Sequence, residues 1–365
     1  MEVRVGSLIE QGAAQKLKDD PVVVGVLYPP TLDPDVLSDA AGSAGRPVDV
    51  TVAHYEENAV LREARRGGTP VDDLRAMAPP LSDEVRGVLA RAEVLLALDA
   101  PVDLLTLAPR LRWIQAIGAG VSQFDEKALD SRGVRLTTAA GVGAAPIAEF
   151  VIGRLLQVWK DYRRFDEMQQ AHRWRLTSTR LLAGCTIGIV GLGAIGTAIA
   201  DRARPFGMRV IGIRRRFAPG MTSPVADELL GPDRLDRLLA ESDAVVLAVP
   251  HTDDTQNLIG EGELARMKPG SVLCNVGRGA LVDESALLAA LVRGRPAAAI
   301  LDVTREEPLP EDNPLWDAPN LYLSPHSSAV HDRYFDAVIN LFVTNLCHYL
   351  SGEPLLNLVR PEVGY

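Results

Sequence analysis

The run Gly191-Leu192-Gly193-Ala194-Ile195-Gly196 limits what this chain can fold into more than any other stretch. It comes directly after the apolar run Thr186–Val190 and opens a helical pattern, the strand–turn–helix setting of a dinucleotide-binding βαβ unit. There the first glycine permits a tight turn, and the second lets backbone approach a pyrophosphate. The third lets helix and strand pack closely. Ala194 and Ile195 then stand at a helix N-terminus, whose open N–H groups favour phosphate.

Five more strand-like runs follow: Met208–Ile213, Ala244–Val249, Ser271–Val276, Ala297–Val303 and Leu321–Ser324. Helical patterns separate them, so six strands with five crossovers predict a doubly wound parallel sheet. An earlier set has the same rhythm and predicts a second α/β sheet: Val22–Tyr28, Val48–Ala53, Val94–Ala97, Leu111–Ile117 and Val134–Thr138. A closing helix from Tyr334 to Leu350, ended by Ser351-Gly352, is too little to form a domain. It is expected to return to the first region. The expected division is an outer, discontinuous domain of residues 1–139 and 326–365, with a cofactor domain of residues 140–325 inserted in it.

Length and composition agree with two globular domains. The chain has 365 residues, 47% hydrophobic and 24% charged, enough to build large cores and too apolar for a disordered tail. The formal net charge of −10 removes the global basic footprint expected of a nucleic-acid binder. Cys185, Cys274 and Cys347 are far apart and odd in number, so neither a disulfide framework nor a zinc spacing can be built from them. Free buried thiols, charges throughout the opening 20 residues and no membrane-length apolar window predict a cytoplasmic protein. No metal site, nucleic-acid partner or membrane partner is expected.

The strand after the glycine turn should end in Asp or Glu if NAD is bound, to accept from the ribose 2′-hydroxyl. It ends instead in Arg214-Arg215-Arg216, with Arg214 standing 23 residues after Gly191. A cationic cluster there suits the 2′-phosphate of NADP, so NADP is the expected cofactor, with NAD possible. The plainer reading is a solvated basic strand end. If the strand persisted through the run, Arg214 and Arg216 would share one face.

In an open α/β sheet, ligands bind beyond the carboxyl ends of the strands. Three such ends supply an arginine, an acid and a histidine. Gly277-Arg278-Gly279 follows Ser271–Val276, Asp302 through Pro308 closes Ala297–Val303, and Pro325-His326 follows Leu321–Ser324. Arginine can fork onto a carboxylate and polarise a ketone. Histidine can deliver a proton near neutral pH, and an adjacent carboxylate orients it and favours its charged form. That set suits hydride transfer to a 2-keto acid. Of Glu306 and Glu307, one is expected simply to solvate the loop. His251, after Ala244–Val249, is a competing base with no acid beside it beyond Asp253 and Asp254.

From about Leu111 to Val359 the chain resembles the D-isomer-specific 2-hydroxyacid dehydrogenase family. The stretches that carry the resemblance, in family order, are LAGCTIGIVGLGAIG, AVPHTDDTQNLIG, MKPGSVLCNVGRGALVDESALLAAL, ILDVTREEPLP, LSPHSSA and YLSGEPLLNLV. The resemblance implies a Rossmann cofactor domain within a flavodoxin-like substrate domain, and a homodimer joined through the cofactor domain. It assigns Arg278 to the substrate carboxylate and carbonyl, His326 to the proton, and Glu307 to the histidine. Ala119-Gly120 matches a loop whose amides help bind the carboxylate, and Asp302 matches an acid that contacts the nicotinamide carboxamide. Pro250 and Thr255 match the adenosine-side loop, and Val249, Val276 and Gly277 complete the cofactor-binding set.

Two departures stand out: Thr304 replaces a common phenylalanine, and Arg214 replaces the NAD-type acid. Glu307 argues against formate dehydrogenase, which carries glutamine there. The activity implied is NADP(H)-linked reduction of a small 2-keto acid of glyoxylate or hydroxypyruvate type. The alternatives are a phosphoglycerate- or phosphite-type dehydrogenase and a non-catalytic, nucleotide-sensing co-repressor. Residues 1–100 match only in rhythm, so the substrate's identity is not expected to be readable from them.

Overall fold

The computed structural model of the chain describes residues 20–29, 32–41, 47–121 and 123–360. Most of the opening segment whose charges were read above lies outside them. The chain divides into two compact units, residues 1–140 with 332–365, and residues 141–331.

The first unit is built on five parallel strands, β1 (Val22–Val26), β2 (Val48–Val52), β3 (Val94–Ala97), β4 (Trp113–Ala116) and β5 (Arg135–Thr137), in the order β2-β1-β3-β4-β5. This is the flavodoxin-like order of a doubly wound sheet. β3 and β4 are buried at every position, and apart from Gln115 their residues are apolar. The helix Asp83–Arg91 starts where the Ser82 hydroxyl accepts from the Val85 amide at 3.2 Å, and buries Val85, Val88 and Leu89. The helix Tyr334–Ser351 rejoins this unit through a buried polar relay. Asn345 Nδ2 donates to Gln115 Oε1 at 3.0 Å, and that oxygen also accepts from Thr137 Oγ1 at 2.8 Å. Because each of these groups is buried, losing one would strand the others, and that fixes where the returning helix docks.

The second unit carries seven parallel strands rather than six. They are β6 (Thr186–Val190), β7 (Arg209–Ile213), β8 (Glu228–Leu230), β9 (Ala244–Leu247), β10 (Val272–Asn275), β11 (Ala298–Leu301) and β12 (Leu321–Leu323), ordered β12-β11-β10-β9-β6-β7-β8. The unforeseen strand β8 has three residues at an edge and buries only Leu230, so it leaves no periodic signal. The order reverses between β6 and β9, which places a crevice at their carboxyl ends. The helix Ala144–Trp159 belongs to this unit and buries Ile147, Val151, Leu155 and Trp159 in its core.

The other edge, β12, is closed by side chains. Arg163 Nη1 donates to the Leu321 carbonyl and Arg154 Nη2 to the Leu323 carbonyl, both at 3.1 Å. The Arg163 guanidinium also lies 3.6 Å from the Tyr322 ring centroid. Residues 326–331, expected in the outer domain, cluster with this second unit instead. The reason is local: the His326 amide donates to the Asp302 carbonyl at 2.8 Å, and Ser327 and Ser328 bind the Asp302 carboxylate. Among the described residues, no helix is long and apolar enough to cross a membrane, and no His/Cys/Asp/Glu cluster could hold a metal.

Candidate active site

The glycine turn has the shape of a dinucleotide cradle. Gly191 has φ +102°, and a Cβ there would stand 2.6 Å from Val249 Cγ1 and 2.7 Å from the Ala248 carbonyl oxygen. Only glycine can hold that turn against the end of β9. A Cβ on Gly196 would meet the Gly191 carbonyl oxygen at 2.2 Å, whereas nothing lies within 4 Å of the position above Gly193. Two glycines are thus filled by the protein's own backbone and the middle one faces open space. Gly193 is the N-cap of the helix Ala194–Ala203, with no side chain closing it, and Gly193 and Ala194 are exposed. These residues fit the pyrophosphate of a nicotinamide dinucleotide.

β7 leads its basic run to the same turn. The Ile213 carbonyl accepts from the amides of Gly191 and Leu192 at 3.1 and 2.9 Å, and the Arg214 amide bonds to Leu230. Arg214, Arg215 and Arg216 are exposed. The strand stops at Ile213, so the face alternation expected for the three arginines does not apply. Arg215 and Arg216 lie on a bend.

The loops after β10 and β11 are pressed together. A Cβ on Gly279 would fall 2.0 Å from the carbonyl carbon and oxygen of Thr304. The side chain of Asn275, fully buried at the end of β10, spans the Arg278 turn by donating to the Arg278 carbonyl at 2.8 Å and accepting from Gly277 at 3.1 Å. Arg278 is exposed, and its Nη1 donates to the Gly277 carbonyl at 2.7 Å. Arg305 ties the next loop down, its amide donating to Glu284 Oε1 at 2.7 Å and its guanidinium to the Asn257 side chain. Sequence reasoning missed Asn275 as a brace. Its only signal is a polar residue at the end of an apolar strand.

Glu307 and His326 meet across the next gap. His326 Nδ1 lies 2.8 Å from Glu307 Oε2, with the two side chains 46% and 24% exposed. The second oxygen, Oε1, accepts from the Thr304 amide at 3.2 Å, so the carboxylate is aimed before any ligand arrives. With the carboxylate accepting at Nδ1, the ring presents Nε2 outward. His326 has φ +50°, in the left-handed region that few non-glycine residues adopt. It is held there by Asp302, 1% exposed, whose Oδ1 accepts from Ser324 Oγ at 2.6 Å and from the amides of Ser327 and Ser328 at 3.1 Å. The Ser328 hydroxyl donates to Oδ2. The carboxylate read as a nicotinamide contact therefore also organises the histidine loop. Ser324, Ser327 and Ser328 had no signal beyond lying in the motif around His326.

The remaining candidates are more peripheral. Thr255 Oγ1 donates to the Pro250 carbonyl at 2.8 Å and closes a Thr252–Thr255 capping box, so its hydroxyl shapes the turn after β9. His251 is exposed and paired to the Gln256 side chain, with no carboxylate at the ring. Glu306 is exposed, with its carbonyl held by Thr304 Oγ1 at 2.7 Å, and Glu307 is the acid that reaches the histidine. Val249 and Val276 line the ends of β9 and β10 near Gly277, with Val276 buried. In the first unit, Ala119 and Gly120 are exposed beyond the carboxyl end of β4.

A family described as D-isomer specific 2-hydroxyacid dehydrogenase, NAD binding domain, matches residues 152–328. Glyoxylate/hydroxypyruvate reductase B of Pectobacterium atrosepticum is 39% identical over 287 residues, which span 75% of this chain and 88% of that protein. Glyoxylate reductase of Korarchaeum cryptofilum is 34% identical over 282 residues, spanning 73% of this chain and 83% of its own. Among solved structures, a D-isomer specific 2-hydroxyacid dehydrogenase family protein from Aeromonas salmonicida superimposes with a TM-score of 0.73 at 28% identity, covering 93% of this chain and 99% of that one. A second such dehydrogenase, from Xanthobacter autotrophicus in complex with NADPH and MES, gives 0.71 at 28% identity, covering 94% and 99%. With the glycine cradle, the arginine turn and the histidine–glutamate pair in one unit, this chain belongs to the D-isomer-specific 2-hydroxyacid dehydrogenase family and is an NAD(P)-dependent oxidoreductase.

Proposed function

We propose that this chain reduces a small 2-keto acid of the glyoxylate or hydroxypyruvate type to the D-2-hydroxy acid, preferring NADPH. The observation that carries the reading is the 2.8 Å pairing of His326 Nδ1 with Glu307 Oε2, on a loop set beside the Arg278 turn. A dihydronicotinamide, when bound, supplies the hydride. Arg278 binds the substrate carboxylate and polarises the carbonyl, and His326 gives its Nε2 proton to the oxygen as it becomes an alkoxide. Glu307 stabilises the imidazolium and holds the ring. Ala119 and Gly120 are the first unit's candidates for the carboxylate, through their amides. Gly191, Gly193, Ala194, Ile195 and Gly196 would take the pyrophosphate. Val249, Pro250, Thr255, Val276, Gly277 and Asp302 would line the rest of the nucleotide.

The NADPH preference rests on Arg214, fixed next to the glycine turn where an NAD-type site has an acid. The relatives named glyoxylate reductase and glyoxylate/hydroxypyruvate reductase support the substrate class. The protein is expected to work as a homodimer in the cytoplasm. The helix Tyr162–Gln170 buries none of its residues, and Trp174 and Leu176 beyond it are fully exposed, two large apolar side chains that a second copy could cover. The unbridged cysteines suit a reducing compartment.

The deciding experiment is turnover by purified protein with NADPH or NADH against glyoxylate, hydroxypyruvate, phosphohydroxypyruvate and, in the reverse sense, phosphite. Highest kcat/KM for the two small keto acids with NADPH supports the reading. Preference for phosphohydroxypyruvate or phosphite, or nucleotide binding without turnover, would replace it.

A further inference from the structure

We infer that the amino-terminal edge of the first unit's sheet holds a binding site for a small polyanion, carried by Arg110, Arg112 and Arg135. The chain segments entering β3, β4 and β5 come together there. The Arg112 amide donates to the Glu93 carbonyl at 2.8 Å, and the Arg135 amide to the Arg112 carbonyl at 2.9 Å. With Trp113 paired to Arg135 in register, the two arginines start neighbouring strands. Arg110 joins them from the turn with Pro109. Together with Glu93, Gly133 and Tyr349, these residues line a groove of about 510 Å³. That is the size of an ordinary small-molecule site.

The clustering of charge is what singles the groove out. Arg62, Arg65 and Arg75 of this unit are neutralised by Asp99, Glu57 and Asp103, each at 2.6 Å, whereas the groove gathers three arginines around a single acid. Arg110 and Arg112 have no side-chain partner among the described residues, and Arg135 only stacks on the Tyr349 ring, 4.8 Å from its centroid. The groove's one acid is turned to another task, with Glu93 Oε1 accepting from the Tyr349 hydroxyl at 2.6 Å. Tyr349 therefore fixes both Arg135 and Glu93. Three guanidinium groups around one concavity, on a protein of net charge −10, repel one another unless an anion lies between them. Their planar forks match phosphate or carboxylate oxygens, and the groove's volume admits a molecule with two or more such groups.

The site is separate from the chemistry. In this fold the reacting ligands gather at the carboxyl edge of the sheets, and β4 carries Arg112 just before its amino end and Ala119-Gly120 beyond its carboxyl end. An anion in the groove should therefore bind together with cofactor and substrate rather than compete with them.

The test is calorimetric titration of inorganic pyrophosphate and, separately, citrate, at fixed ionic strength. Saturating NADPH and an unreactive keto-acid analogue are kept present so that the nucleotide and substrate sites are filled. Wild type should bind at least one probe, and whichever binds more tightly assigns phosphate or carboxylate as the natural group. Arg112→Ala and Arg135→Ala should each weaken that binding roughly tenfold or more, while kcat and KM without the anion stay unchanged. Glu93→Gln, which keeps an acceptor for Tyr349 but removes the negative charge, should tighten it. Absence of binding to wild type, equal binding by the arginine variants, or weaker binding by Glu93→Gln would overturn the inference.

Discussion

Glu307 divides its carboxylate between His326 and Thr304: Oε2 sits 2.8 Å from the imidazole Nδ1, and Oε1 accepts from the Thr304 amide at 3.2 Å. The acid that faces the ring is thereby anchored to the loop that also meets the Arg278 turn. The residues proposed for proton delivery and for carboxylate recognition share one scaffold.

The pairing gives the histidine its orientation, with Nδ1 held and Nε2 left for the substrate oxygen. Glu307→Gln, which keeps the shape of the side chain but removes its charge, should lower kcat for ketone reduction more than it changes KM. His326→Ala should lower kcat roughly 10²–10⁴-fold with NADPH affinity nearly unchanged. Equal kcat for wild type and Glu307→Gln would show that the contact has no catalytic consequence.

Gly279→Ala tests the scaffold directly. The new methyl would fall 2.0 Å from Thr304 backbone atoms, so one loop must move. Displacement of that size costs about 10²-fold in rate when it shifts reacting groups, and overpacking costs about 1–3 kcal/mol of stability. We expect a fall in kcat/KM far larger than the drop in melting temperature would explain. Activity near that of wild type would mean the loops adjust without carrying Arg278 or Glu307 with them.

Cofactor choice should turn on Arg214. One charge-assisted contact to a 2′-phosphate contributes about 1.5–3 kcal/mol, roughly 10- to 150-fold in affinity. Wild type should favour NADPH over NADH by at least one such step, and added salt should erode that preference. Arg214→Asp should invert it, by repelling phosphate and accepting from a free 2′-hydroxyl. The measurement is the NADPH/NADH ratio of kcat/KM at fixed ionic strength; a wild-type ratio of one or less removes the role.

Asp243 should govern acid stability of the second unit. Its Oδ1 accepts from Arg180 at 2.7 Å and Lys268 at 2.6 Å, and its Oδ2 from the Thr186 amide at 2.8 Å. Burial alone would raise its pKa, but Lys268, the Thr186 amide and Arg180 outweigh that and hold it below the usual carboxylate range. A lowered folded-state value stabilises above the unfolded value of about 3.9, and the contribution is lost as pH falls through the folded one. Asp243→Ala should cost about 2–4 kcal/mol at neutral pH. Urea midpoints of wild type and variant should converge below about pH 4. A gap as wide at pH 3 as at pH 7 would contradict this.

Most strands were legible because short, largely apolar runs buried on both faces have few other uses, as β6 and β11 show. β8 was not, since three residues at an edge carry no period. Arg278, Glu307 and His326 were readable because each follows a strand whose carboxyl end had already been placed. What holds them was hidden. Asn275, the serines around His326 and the Gly279–Thr304 approach depend on contacts between loops distant in sequence. The end of β7 shows the limit in the other direction: three consecutive arginines invited an extended reading, and the backbone bends at the second.

The arginines along β12 have a consequence for assembly. A strand at the margin of a sheet normally invites another chain to pair with it through its outward carbonyls. Here Arg163 and Arg154 occupy those of Leu321 and Leu323, at the strand that delivers His326. A second subunit pairing there would first have to displace both guanidinium groups. That guards the histidine loop against being reshaped by sheet extension at this margin.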